Sequence, residues 1–441
     1  MNKKLKLITY GCQMNVADSE RMAARLASIG YIPTENLDDA DLILINTCSV
    51  RESAEEKILG KIGEIKQLKR RKPSLILGVT GCMAQKDGEL LMKRAPHIDF
   101  VLGTGRQAEL TRVVGELESF HRRIVDTSDV SNAVVEDLFT PRGAKSTFIP
   151  IMYGCNNFCT YCIVPHVRGR ERSRLPKDIV RELESAVENG TVEVTVLGQN
   201  VNSYGKDHRL ATFAELLTML GQVDGLKRLR FMTSHPKDCS DELIEAIARN
   251  EKVCEHIHLP VQYGSDRVLK RMNRGYTVER YRRLIEKLRA AVPDISITTD
   301  LIVGFPGETD DDFEQTLEFI REIQFDAAYT FIYSKRSGTP AATFEDQVPE
   351  EVKHARLERL MAVQNEISRR INDRLKDRTV EILVEGASKS DNNIFTGRTR
   401  TNKLVLFPHG EEKVGDFIRV RITQPQTWLL KAERIEASEW H

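Results

Sequence analysis

The residues of this chain best suited to chemistry are its eight cysteines, six of which fall into two sets of three. Cys155, Cys159 and Cys162 form C-x-x-x-C-x-x-C directly after a strand expected at Phe148–Met152. Three thiolates so close in sequence can converge on one ion or one cluster. A structural zinc asks for a fourth ligand to close its tetrahedron. No nearby cysteine supplies it, and His166, four residues on, falls in the wrong rhythm. Three thiolates on a four-iron cluster leave one iron without a protein ligand, where a small molecule can bind and react.

Cys12, Cys48 and Cys82 lie 36 and 34 residues apart and share no local motif. They share a placement. Tyr10-Gly11-Cys12, Asn46-Thr47-Cys48 and Thr80-Gly81-Cys82 each follow a strand-like run. In a parallel sheet all strand C-termini lie on one edge, so three such cysteines can meet. The competing reading is three separate buried thiols, since free cysteine is among the most buried residue types. Cys239 and Cys254 have no company and read as packing residues.

The elements that must position these thiols are legible in the hydropathy pattern. Over the first 120 or so residues, short β-rich runs at Leu5–Tyr10, Leu42–Asn46, Leu75–Thr80 and Ile98–Leu102 alternate with helical spacing, as in the stripe Ala54, Ile58, Ile62, Ile65, Leu68. Alternation of this kind means parallel strands with crossover helices. Phe139–Ser146, with Pro141 and Gly143, reads as a linker. Six further strands are expected at Phe148–Met152, Val192–Leu197, Leu229–Thr233, His256–Pro260, Ile295–Val303 and Ala327–Tyr333, each pair separated by a helical segment. Such a series suits a curved parallel sheet or partial barrel with its chemistry at the strand C-termini. A long helix opens at Pro349 and carries Leu360, Val363, Ile367 and Ile371 on one face; Thr379–Glu433 then changes to short alternating strands of a small all-β barrel. The expected architecture is therefore α/β: an N-terminal parallel α/β sheet domain (1–140), a central partial (βα)6 barrel (141–376) and a C-terminal small β-barrel (377–441).

With 65 basic and 65 acidic residues, the chain has no net charge, which rules out whole-molecule attraction to polyanions. Two local stretches are basic: Ile163–Arg174 has a net charge of +3 and Gln262–Ala290 of +6. Either could be a solvated helix face or a nucleic-acid contact. The cluster Lys69–Lys72 ends a helix, where cations offset the dipole. Apolar runs such as Leu42–Ile45 and Leu75–Leu77 are far shorter than the roughly 20 residues of a membrane span. Lys3 and Lys4 are not followed by a signal-peptide core, so a cytoplasmic location is expected, in which the cysteines serve metal or catalysis rather than disulfides.

Gly154-Cys155-Asn156-Asn157-Phe158-Cys159-Thr160-Tyr161-Cys162 resembles the radical S-adenosylmethionine (SAM) signature. Tyr10-Gly11-Cys12-Gln13-Met14-Asn15, Gly81-Cys82-Met83-Ala84-Gln85, Leu197-Gly198-Gln199-Asn200-Val201-Asn202-Ser203-Tyr204 and Thr233-Ser234-His235-Pro236 resemble the methylthiotransferases of that superfamily. The resemblance covers essentially the whole chain, and the last segment is similar to the TRAM RNA-binding domain. It is closest to the branch acting on N6-(dimethylallyl)adenosine at position 37 of tRNA. The resemblance implies two [4Fe-4S] clusters, one on Cys155, Cys159 and Cys162 and an auxiliary one on Cys12, Cys48 and Cys82. SAM would serve both as radical source and as methyl donor for a sulfur inserted at C2 of the adenine. That position carries an unactivated hydrogen that no side-chain base removes, so a radical is required. A low-potential donor such as flavodoxin or ferredoxin is implied.

On the same basis Tyr161 would lie against the SAM adenine, Gln199 and Asn200 would reach its methionine moiety, and Ser234, Gly304 and Gly307 would line the cofactor at other strand ends. The expected RNA contacts are Arg168, Arg170, Arg271 and Arg274 in the core and Arg398, Arg400 and Lys403 in the C-terminal barrel. The working form is expected to be a monomer. Alternatives are the same chemistry on threonylcarbamoyl-adenosine in tRNA or on a ribosomal-protein aspartate, a non-enzymatic iron-sulfur RNA-binding sensor, and a zinc scaffold.

Overall fold

The structure is a computed structural model and describes residues 3–49, 52–120, 122–128 and 143–435. The first unit is a six-stranded parallel sheet. Its strands are β1 (Lys3–Thr9), β2 (Tyr31–Pro33), β3 (Leu42–Thr47), β4 (Ile76–Gly81), β5 (Phe100–Leu102) and β6 (Ile124–Asp126), in the order β2-β1-β3-β4-β5-β6. Every residue of the central strand β3 is buried, as a parallel strand covered on both faces should be. On one face Met22 and Leu26 of the helix Gln13–Ala27 pack with Leu110, Val113 and Leu117 of the helix Leu110–Phe120. On the other, Ile58, Ile62, Ile65 and Leu68 pack with Met83, Leu91 and Met92 of the helix Cys82–Arg94. The expected stripe thus faces the sheet, apart from the side chain of Ala54, which lies outside the described residues. The strands β2 and β6, at the two edges of the sheet and only partly buried, are not expected from the sequence.

The central unit has β7 (Ser146–Pro150), a small antiparallel pair β8 (Met152–Tyr153) and β9 (Arg172–Ser173), then β10 (Glu193–Leu197), β11 (Arg228–Phe231), β12 (His256–His258), β13 (Ser296–Val303) and β14 (Ala327–Ile332). The main strands form two parallel sheets, β11-β10-β7 and β12-β13-β14, joined by a parallel bridge between Leu229 and Val253. This is the expected half-barrel, with β7 and β14 at its edges. The first half of the expected linker lies outside the described residues, and its last residue, Ser146, opens β7. Leu229, Phe231, Ile297, Leu301 and Ala328 join the core beneath the outer helices. The alternate residues therefore line the inner face: Glu193, Arg228, Arg230, His258, Thr298, Asp300 and Tyr329.

The helix Glu350–Asp373, with Pro349 at its N-cap, buries Leu360, Gln364 and Ile367 against this unit. Five strands, β15 (Thr379–Ala387), β16 (Ile394–Thr399), β17 (Leu404–Pro408), β18 (Phe417–Pro425) and β19 (Leu430–Arg434), then close a barrel around Ile382, Val405, Phe407, Val420 and Leu430. This barrel sits on the N-terminal ends of the central strands. Arg228 donates to the Arg398 carbonyl and to Glu381, and Arg230 to Glu193 and the carbonyls of Thr399 and Arg400. In return Arg400 donates to Glu255 and the Val253 carbonyl, and Lys403 pairs with Asp326 at 2.8 Å. Arg400 and Lys403, expected as RNA contacts, are instead consumed in docking the barrel. Arg398 is occupied by Glu385 and the Asn402 carbonyl. Sequence shows where cations are, and not which carboxylates the fold delivers to them.

Candidate active site

The first triad forms because β1, β3 and β4 end side by side. Cys12 is the N-cap of the helix Gln13–Ala27, and Cys82 begins the helix Cys82–Arg94. Gly11, at φ +120°, lies so close to Cys48 that an added Cβ would stand 2.8 Å from its Cβ and 3.0 Å from its Sγ. Gly81, at φ +95°, is equally pressed: a Cβ there would meet the Thr47 carbonyl at 2.3 Å. Both glycines before a cysteine are therefore required by close approach of the turns. Asn15, fully buried, ties the turns together by donating to the Tyr10 and Thr47 carbonyls.

Arg168 reaches this triad from the central unit. It donates to Asn15 Oδ1 and to Asp18 Oδ2, each at 2.8 Å, and is almost wholly buried. Burial works against its charge, but Asp18, Cys82 and Cys12 around it outweigh that and hold it protonated. Burial likewise pushes the Cys82 thiol up, which nearby Arg168 partly opposes. Arg168 therefore cannot be the free phosphate contact expected from the sequence; it binds one unit to the other beside the cysteines.

The second triad lies on the loop after β8. Gly154, at φ +77°, brings the loop under the Arg170 carbonyl, where a Cβ would clash at 2.0 Å. The segment Arg271–Arg274 clamps it: Thr160 Oγ1 donates to the Arg271 carbonyl, and Asn273 donates to the Phe158 carbonyl. Arg274, buried, donates to Cys159 Sγ at 3.3 Å, to the Pro260 carbonyl and to Tyr276. Asn157 donates to Cys155 Sγ at 3.5 Å. Burial, reinforced by neighbouring Cys159, pushes the Cys155 thiol up to about 11 and the Cys162 thiol up to about 12. Three thiolates here need a cationic centre, which an iron cluster provides. Arg274, too, is a cysteine-positioning group and not an exposed RNA contact. Of the four cations expected in the core, Arg170 is exposed, over the Phe158 ring, and Arg271 is half-buried, paired with Asp346 at 2.8 Å.

The two triads adjoin. Ile163, next to Cys162, packs with Val167 against Cys82. A cavity of about 180 Å³ lies at this junction, lined by Ser49, Glu55, Lys86, Ile163, Lys335, Arg336 and Ser337. Arg336 closes across it, donating to the Ser49 carbonyl beside Cys48. A larger groove of about 550 Å³, between the helices Phe213–Gly221 and Asp241–Arg249 on the outside of the half-barrel, touches no triad cysteine. Among the described residues, no three Cys, His, Asp or Glu side chains are grouped around a single ion position. Zinc would hold its sulfurs within about 4 Å of one another, given bonds of about 2.3 Å.

Around the loop triad, several buried polar atoms have no protein partner: Asn200 Oδ1, both side-chain polar atoms of Asn202, Ser234 Oγ and His235 Nε2. Orphaned groups of this kind at the ends of β10 and β11 fit a polar cofactor. Gln199 lies close by and accepts from the Gly154 amide at 2.5 Å; Tyr161 is half-buried and its hydroxyl accepts from Arg274. Gly304 and Gly307 behave differently. A Cβ on Gly304 would strike the Lys353 side chain at 2.3 Å, and one on Gly307 would meet Asp346 at 2.4 Å. With φ of +71° and +76°, both serve a turn packed on neighbouring segments, which explains the glycines without a cofactor. Asn202 is a site group that the sequence left without a role, and Arg168 and Arg274, expected on RNA, stand beside the cysteines instead. The two arginines sat in stretches whose charge drew attention to RNA.

Comparison with known proteins decides the family. Residues 149–320 match the radical SAM superfamily, residues 4–103 the uncharacterized protein family UPF0004, and residues 373–435 the TRAM domain. The chain is 52% identical over 439 residues to the tRNA-2-methylthio-N(6)-dimethylallyladenosine synthase of Moorella thermoacetica, covering 98% of this chain and 99% of that one. It belongs to this synthase family. The synthase of Carboxydothermus hydrogenoformans is similar at 51% identity, covering 97% and 98%. Among solved structures, the radical SAM methyltransferase TsrM from Kitasatospora setae superposes with a TM-score of 0.58 at 15% identity, covering 78% of this chain and 77% of that one, a likeness of fold. The synthase family is a radical SAM family, and its chemistry requires SAM and a [4Fe-4S] cluster.

Proposed function

We propose that this protein methylthiolates C2 of N6-(dimethylallyl)adenosine at position 37 of tRNA, using SAM both as radical source and as methyl donor. The observation that carries the proposal is the junction of two cysteine triads across Cys82 and Ile163, in a chain about half identical throughout to synthases named for that product. When bound, a cluster on Cys155, Cys159 and Cys162 supplies the electron that splits SAM, and a second on Cys12, Cys48 and Cys82 supplies the sulfur.

The chain's own residues do the rest. Three ligands per triad leave a coordination position open to a small molecule. Gln199 and Tyr161, with the unpartnered atoms of Asn200, Asn202, Ser234 and His235, would orient SAM beside the loop triad. Arg168 and Asp18 tie the two units together beside the first triad. The target base must leave its stack to enter the chamber. Of the four cations expected in the core, exposed Arg170 is the one available to the phosphates beside it. A low-potential donor such as flavodoxin or ferredoxin, and action as a cytoplasmic monomer, complete the reading. Among the described residues, no helix is long and apolar enough to cross a membrane.

The test is anaerobic reconstitution with iron, sulfide, SAM, a reductant and tRNA carrying the dimethylallyl group. The 2-methylthio nucleoside is expected in the digested tRNA. Its absence, with 5′-deoxyadenosine still produced, would refute the assigned substrate.

A further inference from the structure

The inner face of the half-barrel is covered unevenly. On the side of β7, β10 and β11, the helix Gln13–Ala27 lays Met14 and Ala17 over Leu197, Phe148 and Met232. On the side of β12, β13 and β14, Tyr329 stands 55% exposed in the middle of a strand. Its neighbour Ala328 joins the outer core, so Tyr329 faces inward, and its cross-strand partner is Asp300. The His258 ring meets the Tyr329 ring edge-on at 5.8 Å, while His258 Nδ1 is bonded to Thr298 Oγ1 at 3.1 Å. That fixes a large aromatic in open space within the barrel. Half-buried Ile302 and Phe331 form the next cross-strand pair toward the strand C-termini. The carboxylate of Asp300 lies 3.5 Å from His258 Nε2 and its side chain is 28% exposed.

We propose that this face, centred on Tyr329, receives the apolar N6 substituent of the target adenine, and that Asp300 turns away substituents that end in a carboxylate. The assignment rests on the tRNA reading above and specifies how that substrate is chosen. In adenine, C2 and the carbon bearing N6 flank N1, so a base that presents C2 to the triads directs its N6 substituent away from them. Tyr329 lies three residues before the end of β14, about 10 Å below the rim at 3.3 Å per residue, which is the depth such a substituent would explore. A branched five-carbon chain gains from desolvation against Tyr329, Ile302 and Phe331. A threonylcarbamoyl group would bring its carboxylate to Asp300, and like charges in a partly desolvated chamber repel. Attraction to one ligand and repulsion of its rival act together.

The experiment measures binding and turnover by the reconstituted holoenzyme on three anticodon stem-loops whose target adenosine is dimethylallyl-substituted, unmodified or threonylcarbamoyl-substituted. For Tyr329→Ala, the preference for dimethylallyl over unmodified RNA, read as a ratio of Kd values, is expected to fall roughly tenfold or more. Tyr329→Phe is expected to keep it, since the ring is what is used. An unchanged ratio in Tyr329→Ala, or no preference in the wild-type protein, overturns the proposal. Asp300→Asn preserves volume and tests the other half: tighter binding of the threonylcarbamoyl RNA supports it, and unchanged binding overturns it. Wild-type enzyme that prefers the dimethylallyl RNA yet forms no 2-methylthio product would refute the function and leave the pocket standing.

Discussion

Arg168 shows how one side chain can hold two units of a protein in register. Its guanidinium leaves the loop triad's segment and ends between Asn15 and Asp18, at the turn that carries Cys12. Both Arg168 and Asp18 are about 95% buried, so removing the arginine strands a buried carboxylate. Arg168→Ala is expected to destabilise the protein by about 3–5 kcal/mol, measured by denaturant unfolding under anaerobic conditions. An effect below about 1 kcal/mol, the range of an exposed pair, would contradict its assigned role. At this scale the cysteines stand out along the chain and the partners of the arginines do not. A cysteine triad has a rhythm along the chain, whereas the partner of Arg168 lies 150 residues away, and nothing local announces it.

At the scale of elements, the turn from strand to helix is the device that makes the first triad. β1, β3 and β4 are parallel neighbours, and each passes at its C-terminal end into a cysteine, two of them through a glycine at positive φ. Gly11→Ala would bring a methyl group within 2.8 Å of Cys48. The substitution is expected to cost about 1–3 kcal/mol in backbone strain and to lower iron bound at this triad, with the loop triad unaffected. Iron analysis of Gly11→Ala in a Cys155→Ala, Cys159→Ala, Cys162→Ala background measures this directly, and unaltered iron would contradict it. The strands β3, β4 and β10 could be read from their apolar and β-branched runs because burial on both faces leaves little room for polar residues. β2 and β6 could not, since both are short edge strands that are largely exposed or half-buried, whereas the equally short β5 is wholly buried.

At the scale of the whole molecule, the C-terminal barrel and the N-terminal sheet meet opposite ends of the half-barrel. The first is clamped at the strand N-termini by Arg228, Arg230, Arg400 and Lys403, and the second covers the C-termini where both triads lie. A tRNA touching the C-terminal barrel and the chamber must therefore span the length of the core. Arg230→Ala would remove the closest cation from Glu193 and the bonds to the Thr399 and Arg400 carbonyls across the junction, and is expected to loosen the barrel, giving a separate low-temperature melting transition and weaker tRNA binding. A single unshifted transition would contradict the docking role. The central claim is that each triad holds its own cluster. Iron and sulfide counts on the anaerobically reconstituted protein test it most directly, alongside variants with either triad changed to alanine. About eight irons per chain are expected in the wild type and about four in each variant. About four in the wild type, with no loss when Cys12, Cys48 and Cys82 are replaced, would contradict it.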